Sequence, residues 1–98
     1  MNVQTRKIGL NKGKRRIWLE GAILTDNGIK HGMRFNPVPV SNGLLIRIED
    51  NGKRKIAGKP DRPIIDMTGA TVTSAFDDGT KVVEVYAHPF GLLLKSQP

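Results

Sequence analysis

Few side chains in this sequence are of types that do covalent chemistry, and their spacing argues against an active site. His31 and His88 stand 57 positions apart, each beside a turn, and read as exposed turn residues rather than as two ligands of one metal ion. Cysteine is absent, which removes thiol nucleophiles, thiolate zinc sites and disulfides together. Ser41, Ser74 and Ser96 lack a recognisable histidine and carboxylate arrangement for a nucleophilic triad. Gly9, Gly13 and Gly21 do not follow a strand in the order that a phosphate-cradling loop requires. Asp77-Asp78 before Gly79 has the form of a turn rather than of half a Mg²⁺ site, and Glu20 and Asp66 read as structural or solubilising. No catalytic residue, metal ligand or cofactor is assigned, and the chain is expected not to be an enzyme.

The side chains that remain are cations, and their chemistry is the binding of phosphate. Lys and Arg number 16 against 9 Asp and Glu, a net charge of +7. Residues 1–62 carry fourteen basic and five acidic side chains, whereas residues 63–98 carry two and four. One cluster lies in residues 1–16, with Arg6, Lys7, Lys12, Lys14, Arg15 and Arg16 and no acid. A second lies in residues 53–62, with Lys53, Arg54, Lys55, Lys59 and Arg62 against Asp61 alone. Lone-sign clusters of this kind attract polyanions, and contacts to a phosphate backbone gain by releasing counterions whatever the base sequence. Residues 1–15 are expected to form a flexible basic arm, because Gly9, Asn11 and Gly13 interrupt them.

The remainder, residues 16–98, is expected to fold as one domain around a modest core, since the hydrophobic fraction is 38%. No window is apolar for the roughly 18 residues that a membrane helix needs, and residues 1–16 hold no apolar stretch like a secretory signal. A cytoplasmic, nucleoid-associated setting is expected.

Internal similarity organises that domain. At an offset of 47, Ile17-Trp18-Leu19 lies over Ile64-Ile65-Asp66, Gly32-Met33-Arg34 over Gly79-Thr80-Lys81, and Val38 over Val85. One extra residue near Phe90 brings Gly43-Leu44-Leu45 onto Gly91-Leu92-Leu93. Half-repeats are thus drawn at 16–49 and 63–95, with a basic hairpin and linker at 50–62. Each half reads as strand, short helix, strand, strand. Residues 16–20 are β-branched and aromatic and stop at Gly21. Residues 22–27 form a helix of at most two turns, closed by Gly28. Asn42-Gly43 signals a hairpin. Residues 70–76 form the second helix, and residues 81–87 alternate as a strand. The turn at 50–53 is expected to bring Glu49 opposite Arg54. Pro37 and Pro39 cannot donate to a ladder, so their strand must be an edge, a bulge or an irregular crossing. Trp18 has two readings: a core anchor beside Ile17 and Leu19, or a platform on the opposite face for stacking a base. Tyr86 and Phe90 read as core or interface residues.

Leu19-Glu20-Gly21, Asn27-Gly28-Ile29, Gly32-Met33-Arg34-Phe35 and Gly43-Leu44-Leu45-Ile46 together resemble the SymE-like branch of the SpoVT/AbrB swapped-hairpin superfamily. Two such units in one chain are similar in plan to MraZ-type regulators. The resemblance implies a β-rich α+β fold, a small barrel of two pseudo-symmetric halves, and a DNA-binding face. It also implies basic contacts from Arg16, Lys30, Arg34 and Lys81. The second half departs from it, with Pro63 set against Arg16 and Asp77-Asp78 against Lys30-His31.

The expected function is therefore that of a regulator holding duplex DNA by its phosphates. The contacts would come from the arm (Arg6, Lys7, Lys12, Lys14, Arg15, Arg16), from the linker (Lys53, Arg54, Lys55, Lys59, Arg62), and from Lys30 and Arg34. Duplex DNA is favoured over RNA as the partner; further pairing into a homodimer stays open. Two alternatives stand beside this: a protein-interaction module or inhibitor from a mobile element that docks on an acidic host surface, and a SymE-like RNA-binding toxin.

Overall fold

Gly21 and Gly69 mark equivalent points in two halves of the chain. Each holds a positive φ, 85° and 84°, where a seven-residue strand turns into a short helix. That backbone conformation suits glycine and strains other residues. In the computed structural model, which describes residues 3–97, the elements around these glycines repeat at a constant shift of 48. The first half holds β1 (Gln4–Lys7), β2 (Gly9–Asn11), β3 (Lys14–Glu20), α1 (Ala22–Thr25), β4 (Arg34–Val40) and β5 (Gly43–Ile48). The second holds β6 (Arg54–Lys55), β7 (Ala57–Lys59), β8 (Arg62–Thr68), α2 (Ala70–Ala75), β9 (Val82–His88) and β10 (Gly91–Ser96).

The fold is β-rich, and its strands make two antiparallel sheets. One has the order β1-β9-β10-β5-β4-β6 and the other β2-β3-β8-β7. Both orders are symmetric when each strand is exchanged for its equivalent. In the larger sheet Leu45 pairs with Leu93, and in the smaller Trp18 pairs with Asp66; both are pairs of equivalent residues. An approximate twofold axis therefore runs through both sheets at these two points. Each half lends its first strand to the hairpin of the other, β1 to β9 and β6 to β4.

One core lies between the sheets. Ile17, Leu19, Ile65 and Met67 reach it from the small sheet, and Leu44, Ile46, Val83, Val85, Leu92 and Leu94 from the large one. Ile23, Leu24 and Val72 close it from the helices. Among the described residues no polar or charged side chain is buried.

Several expectations are corrected. Among the described residues the sheets do not close into a barrel. The repeat shift is 48 throughout, with no insertion near Phe90. The Ile64-Ile65 doublet hides this, because either residue aligns with Ile17, and a slip of one exchanges the two faces of a strand. At the correct shift Arg6-Lys7-Ile8 falls on Arg54-Lys55-Ile56, so the linker is the second copy of the arm. The segment expected to be a flexible arm is woven into both sheets from Gln4 onward. β1 pairs along β9, Ile8 donates to the Lys81 carbonyl, and β2 pairs with β3 through a turn at Lys12-Gly13. Glu49 does not face Arg54, because both sides of β5 are taken by β4 and β10. β6 pairs with β4 instead, setting Arg54 opposite Phe35.

The prolines find the edge that they need. β6 covers β4 only at Arg34 and Phe35, so the stretch from Asn36 to Val40 has one free side. Counted from the Val40–Gly43 pair next to the turn, Pro37 and Pro39 take the alternate positions that do not hydrogen-bond to β5.

Candidate nucleic-acid interface

The thirteen cations assigned from the sequence divide by residue type. The arginines are largely turned to the protein itself. Arg15 donates to three main-chain carbonyls, those of Phe76 (2.6 Å), Asp77 (2.8 Å) and Thr80 (2.8 Å), and so fastens the end of α2. Arg34 donates to the Gly52 carbonyl and Arg54 to the Thr71 hydroxyl. Arg6 donates to Gln4 Oε1 and to the Thr5 carbonyl. A guanidinium offers five donors in a fixed plane, which suits it to clusters of carbonyls. These four are half-buried and held in place, and the structure does not present them as free phosphate ligands.

Arg16 is also engaged. It forms a two-bond pair with Asp66 at 2.9 and 3.0 Å, across the β3–β8 ladder. Its guanidinium lies 4.3 Å from the ring centroid of Trp18. Trp18 is 38% exposed on the outer face of the small sheet, so the core-anchor reading is corrected. The hydrogen bond from Arg16 draws the Asp66 carboxyl below the ordinary carboxylate range, against a smaller desolvation effect in the other direction. The same bond raises the Arg16 guanidinium.

The lysines behave differently. Lys7, Lys12, Lys14, Lys30, Lys53, Lys55 and Lys59 are all exposed, and among the described residues none of their ammonium groups has a hydrogen-bond or ion-pair partner. They fall on two flanks related by the pseudo-twofold axis. The first flank carries Lys7 on β1 and Lys12 and Lys14 on the β2–β3 hairpin. The second carries Lys55 on β6 and Lys59 and Arg62 on the β7–β8 hairpin, where Lys55 and Arg62 are the equivalents of Lys7 and Lys14. Arg62 keeps only a loose pairing with Glu20, at 3.9 Å and with its side chain 68% exposed.

Folding draws more charge onto the second flank. Ile56 donates to the Met33 carbonyl, Gly32 donates to the Ile56 carbonyl, and Arg34 stands opposite Lys55. The loop bearing Lys30 and His31 therefore lies along β6, and these two residues border a hollow with Thr25, Ile29, Pro60 and Pro63. Lys30, Lys55, Lys59 and Arg62 are thus carried on adjoining segments, and Lys53 directly precedes β6. The first flank lacks this gain, because Asp77 and Asp78 lie near it: Arg15, beside Lys14, holds the Asp77 carbonyl.

Two apolar groups are exposed near charge: Phe90, for which the core reading is thereby corrected, and Leu10, which the sequence did not single out. Phe90 is 52% exposed, with the Arg47 guanidinium 4.6 Å from its ring centroid. Leu10 is 74% exposed on β2, between Lys7 and Lys12. Neither follows from periodicity, since Phe90 lies in a hairpin turn and β2 is only three residues long. The equivalence of the two flanks, by contrast, was written in the repeated Arg-Lys-Ile tripeptide. Comparison of the chain with protein-family models, with curated proteins and with solved structures finds no match, so its functional reading rests on the geometry above.

Proposed function

We propose that this chain is a nucleic-acid-binding protein that holds duplex DNA by its phosphates and serves as a small regulator or nucleoid-type factor. The observation that carries the reading is the second flank, where Lys30, Lys53, Lys55, Lys59 and Arg62 lie exposed on adjoining segments and, among the described residues, the four lysine ammonium groups have no hydrogen-bond or ion-pair partner. Lysine is a mobile point charge, suited to a backbone of regularly spaced anions and indifferent to base identity. The approximate twofold axis supports a duplex in particular, because a duplex has local twofold axes that a symmetric protein can match. The exchange of β1 and β6 between halves supports the finer fold reading, a pseudo-dimer of the SpoVT/AbrB swapped-hairpin kind.

The test is a fluorescence-anisotropy titration on duplex DNA, single-stranded RNA and heparin, each over a salt series. Five phosphate contacts give a slope of log K against log salt of about −4.5 on duplex DNA. Replacing Lys53, Lys55 and Lys59 by Gln makes that slope shallower by about 2.7. A nearly salt-independent affinity, or equal slopes for variant and parent, refutes the reading. Tighter binding to single-stranded RNA than to duplex makes RNA the ligand in place of DNA.

A further inference from the structure

The two flanks differ at a place where the fold makes them equivalent. At the shift of 48, Arg15 corresponds to Pro63, Lys12 to Pro60 and Asp77 to Ile29. Arg15 reaches from β3 to the carbonyls of Phe76, Asp77 and Thr80, so its guanidinium bridges the space between that hairpin and the loop after α2. Across the axis a proline stands in its stead, and a proline ring is too short to span the same gap. A hollow of about 410 Å³ results between the end of α1, the loop after it and the β7–β8 turn. Its lining is Thr25, Ile29, Lys30, His31, Pro60 and Pro63. Its size falls within the roughly 300–1,000 Å³ of small-ligand sites.

The lining divides by chemistry. Ile29 and Pro63 are buried and make an apolar floor, whereas Thr25, Lys30, His31 and Pro60 are exposed and make the rim. The loop is tied in place. Gly32 donates to the Ile56 carbonyl, Ile56 to the Met33 carbonyl and Met33 to the Lys30 carbonyl. The two proline rings lose no rotamer freedom when a ligand settles on them.

We propose that this hollow seats one unpaired base of a DNA strand whose phosphates lie along the second flank; the assignment rests on the DNA-binding reading above. A bare phosphate gains nothing from the apolar floor. A guanidinium, the group that bridges the equivalent space, meets Lys30 at the rim and Lys55, Lys59 and Arg62 on the adjoining strands, with Asp26 and Asp61 as the nearby acids in sequence. A nucleotide satisfies both parts of the site. Its flat base lies against the proline rings and Ile29, His31 offers a ring for stacking, and its phosphate comes to Lys30. A base paired within a duplex is stacked on both sides and cannot enter, so the occupant is an overhang or a nucleotide turned out of the helix. Arg15 holds the equivalent space on the first flank, and the molecule therefore seats a base on one flank and not on both.

Fluorescence anisotropy at one salt concentration compares a blunt duplex with the same duplex carrying a single-nucleotide overhang. The overhang should bind at least about fivefold more tightly, the lower end of what a seated base contributes. Pro63→Arg restores the residue of the other half. It adds a cation, so the blunt duplex should bind as tightly as before or more so, while the advantage of the overhang falls to less than about twofold. Should Pro63→Arg fail to fold, Thr25→Phe obstructs the hollow from the exposed end of α1 and should remove the same advantage. In NMR spectra a deoxynucleoside monophosphate should shift the amides of Thr25, Ile29, Lys30 and His31, and inorganic phosphate should not reproduce those shifts. Equal affinity for blunt and overhanging duplexes, an advantage that survives both substitutions, or equal shifts with phosphate alone overturns the inference and leaves the salt-dependent contacts of the flank standing. Loss of duplex binding altogether refutes the DNA reading instead, and the nucleotide titration then decides the hollow by itself.

Discussion

Replacing Arg15 by Met separates a structural cation from a binding one. Met keeps most of the aliphatic stem and removes the guanidinium. Three hydrogen bonds are lost, to the carbonyls of Phe76, Asp77 and Thr80. The bond to Asp77 is exposed, and water replaces it at little cost. The other two are half-buried, and each contributes about 1 kcal/mol net. The expected loss is therefore about 2 kcal/mol. For a domain of this size each kcal/mol lowers Tm by roughly 4–8 °C, so the fall should be about 8–16 °C. Urea denaturation followed by tryptophan fluorescence or far-UV circular dichroism measures it. Affinity for duplex DNA, taken well below the new midpoint, should change less than twofold. Stability within about 0.5 kcal/mol of the parent, the range of an ordinary surface substitution, joined to a large loss of DNA affinity, would refute the assignment and return Arg15 to the binding surface.

Other outcomes follow from the fold. Deleting residues 1–8 removes β1 and exposes the edge of β9; it should cost about 1–3 kcal/mol in urea denaturation, where a merely flexible arm would cost nothing. Phe35→Ala, at a site on β4 that is 1% exposed, should cost about 3–5 kcal/mol by the same measurement. Asp66 titrates below its unfolded-state value, so its contribution is present above that value and is lost as pH falls through the lower, folded one. Asp66→Asn should therefore flatten the acid limb of stability measured by denaturation between neutral pH and pH 2. The change should be small, because the pair with Arg16 is solvent-exposed.

Strand content, both helices and the two-unit plan were legible from local pattern, because Gly21, Gly69 and the alternating apolar residues of β3 and β9 leave few other choices. The pairing of strands was not. Nothing in Gln4-Thr5-Arg6-Lys7 declares β9 as its neighbour; that contact depends on the second half being in place eighty residues later. The candidate interface was legible as charge but not as geometry. Sequence counts a guanidinium and an ammonium alike, whereas folding turns most arginines to carbonyl, hydroxyl or carboxylate partners within the protein and leaves the candidate lysines outside. Trp18 shows the limit from the other side: alternation correctly set it opposite Ile17 and Leu19, and its size alone suggested burial.

The pairing of Trp18 with Asp66 carries a consequence for how such a molecule can change. In an assembly of two identical chains, a residue on the symmetry axis must face itself, so the choice there is tryptophan against tryptophan or acid against acid. Covalent fusion of the halves lifts that restriction. Here an acid stands across from an aromatic ring, and Arg16 can clasp the one while lying over the other. Joined units are thus free to specialise singly, one turning its hairpin basic while its twin adopts Pro60-Asp61, without either change being imposed twice.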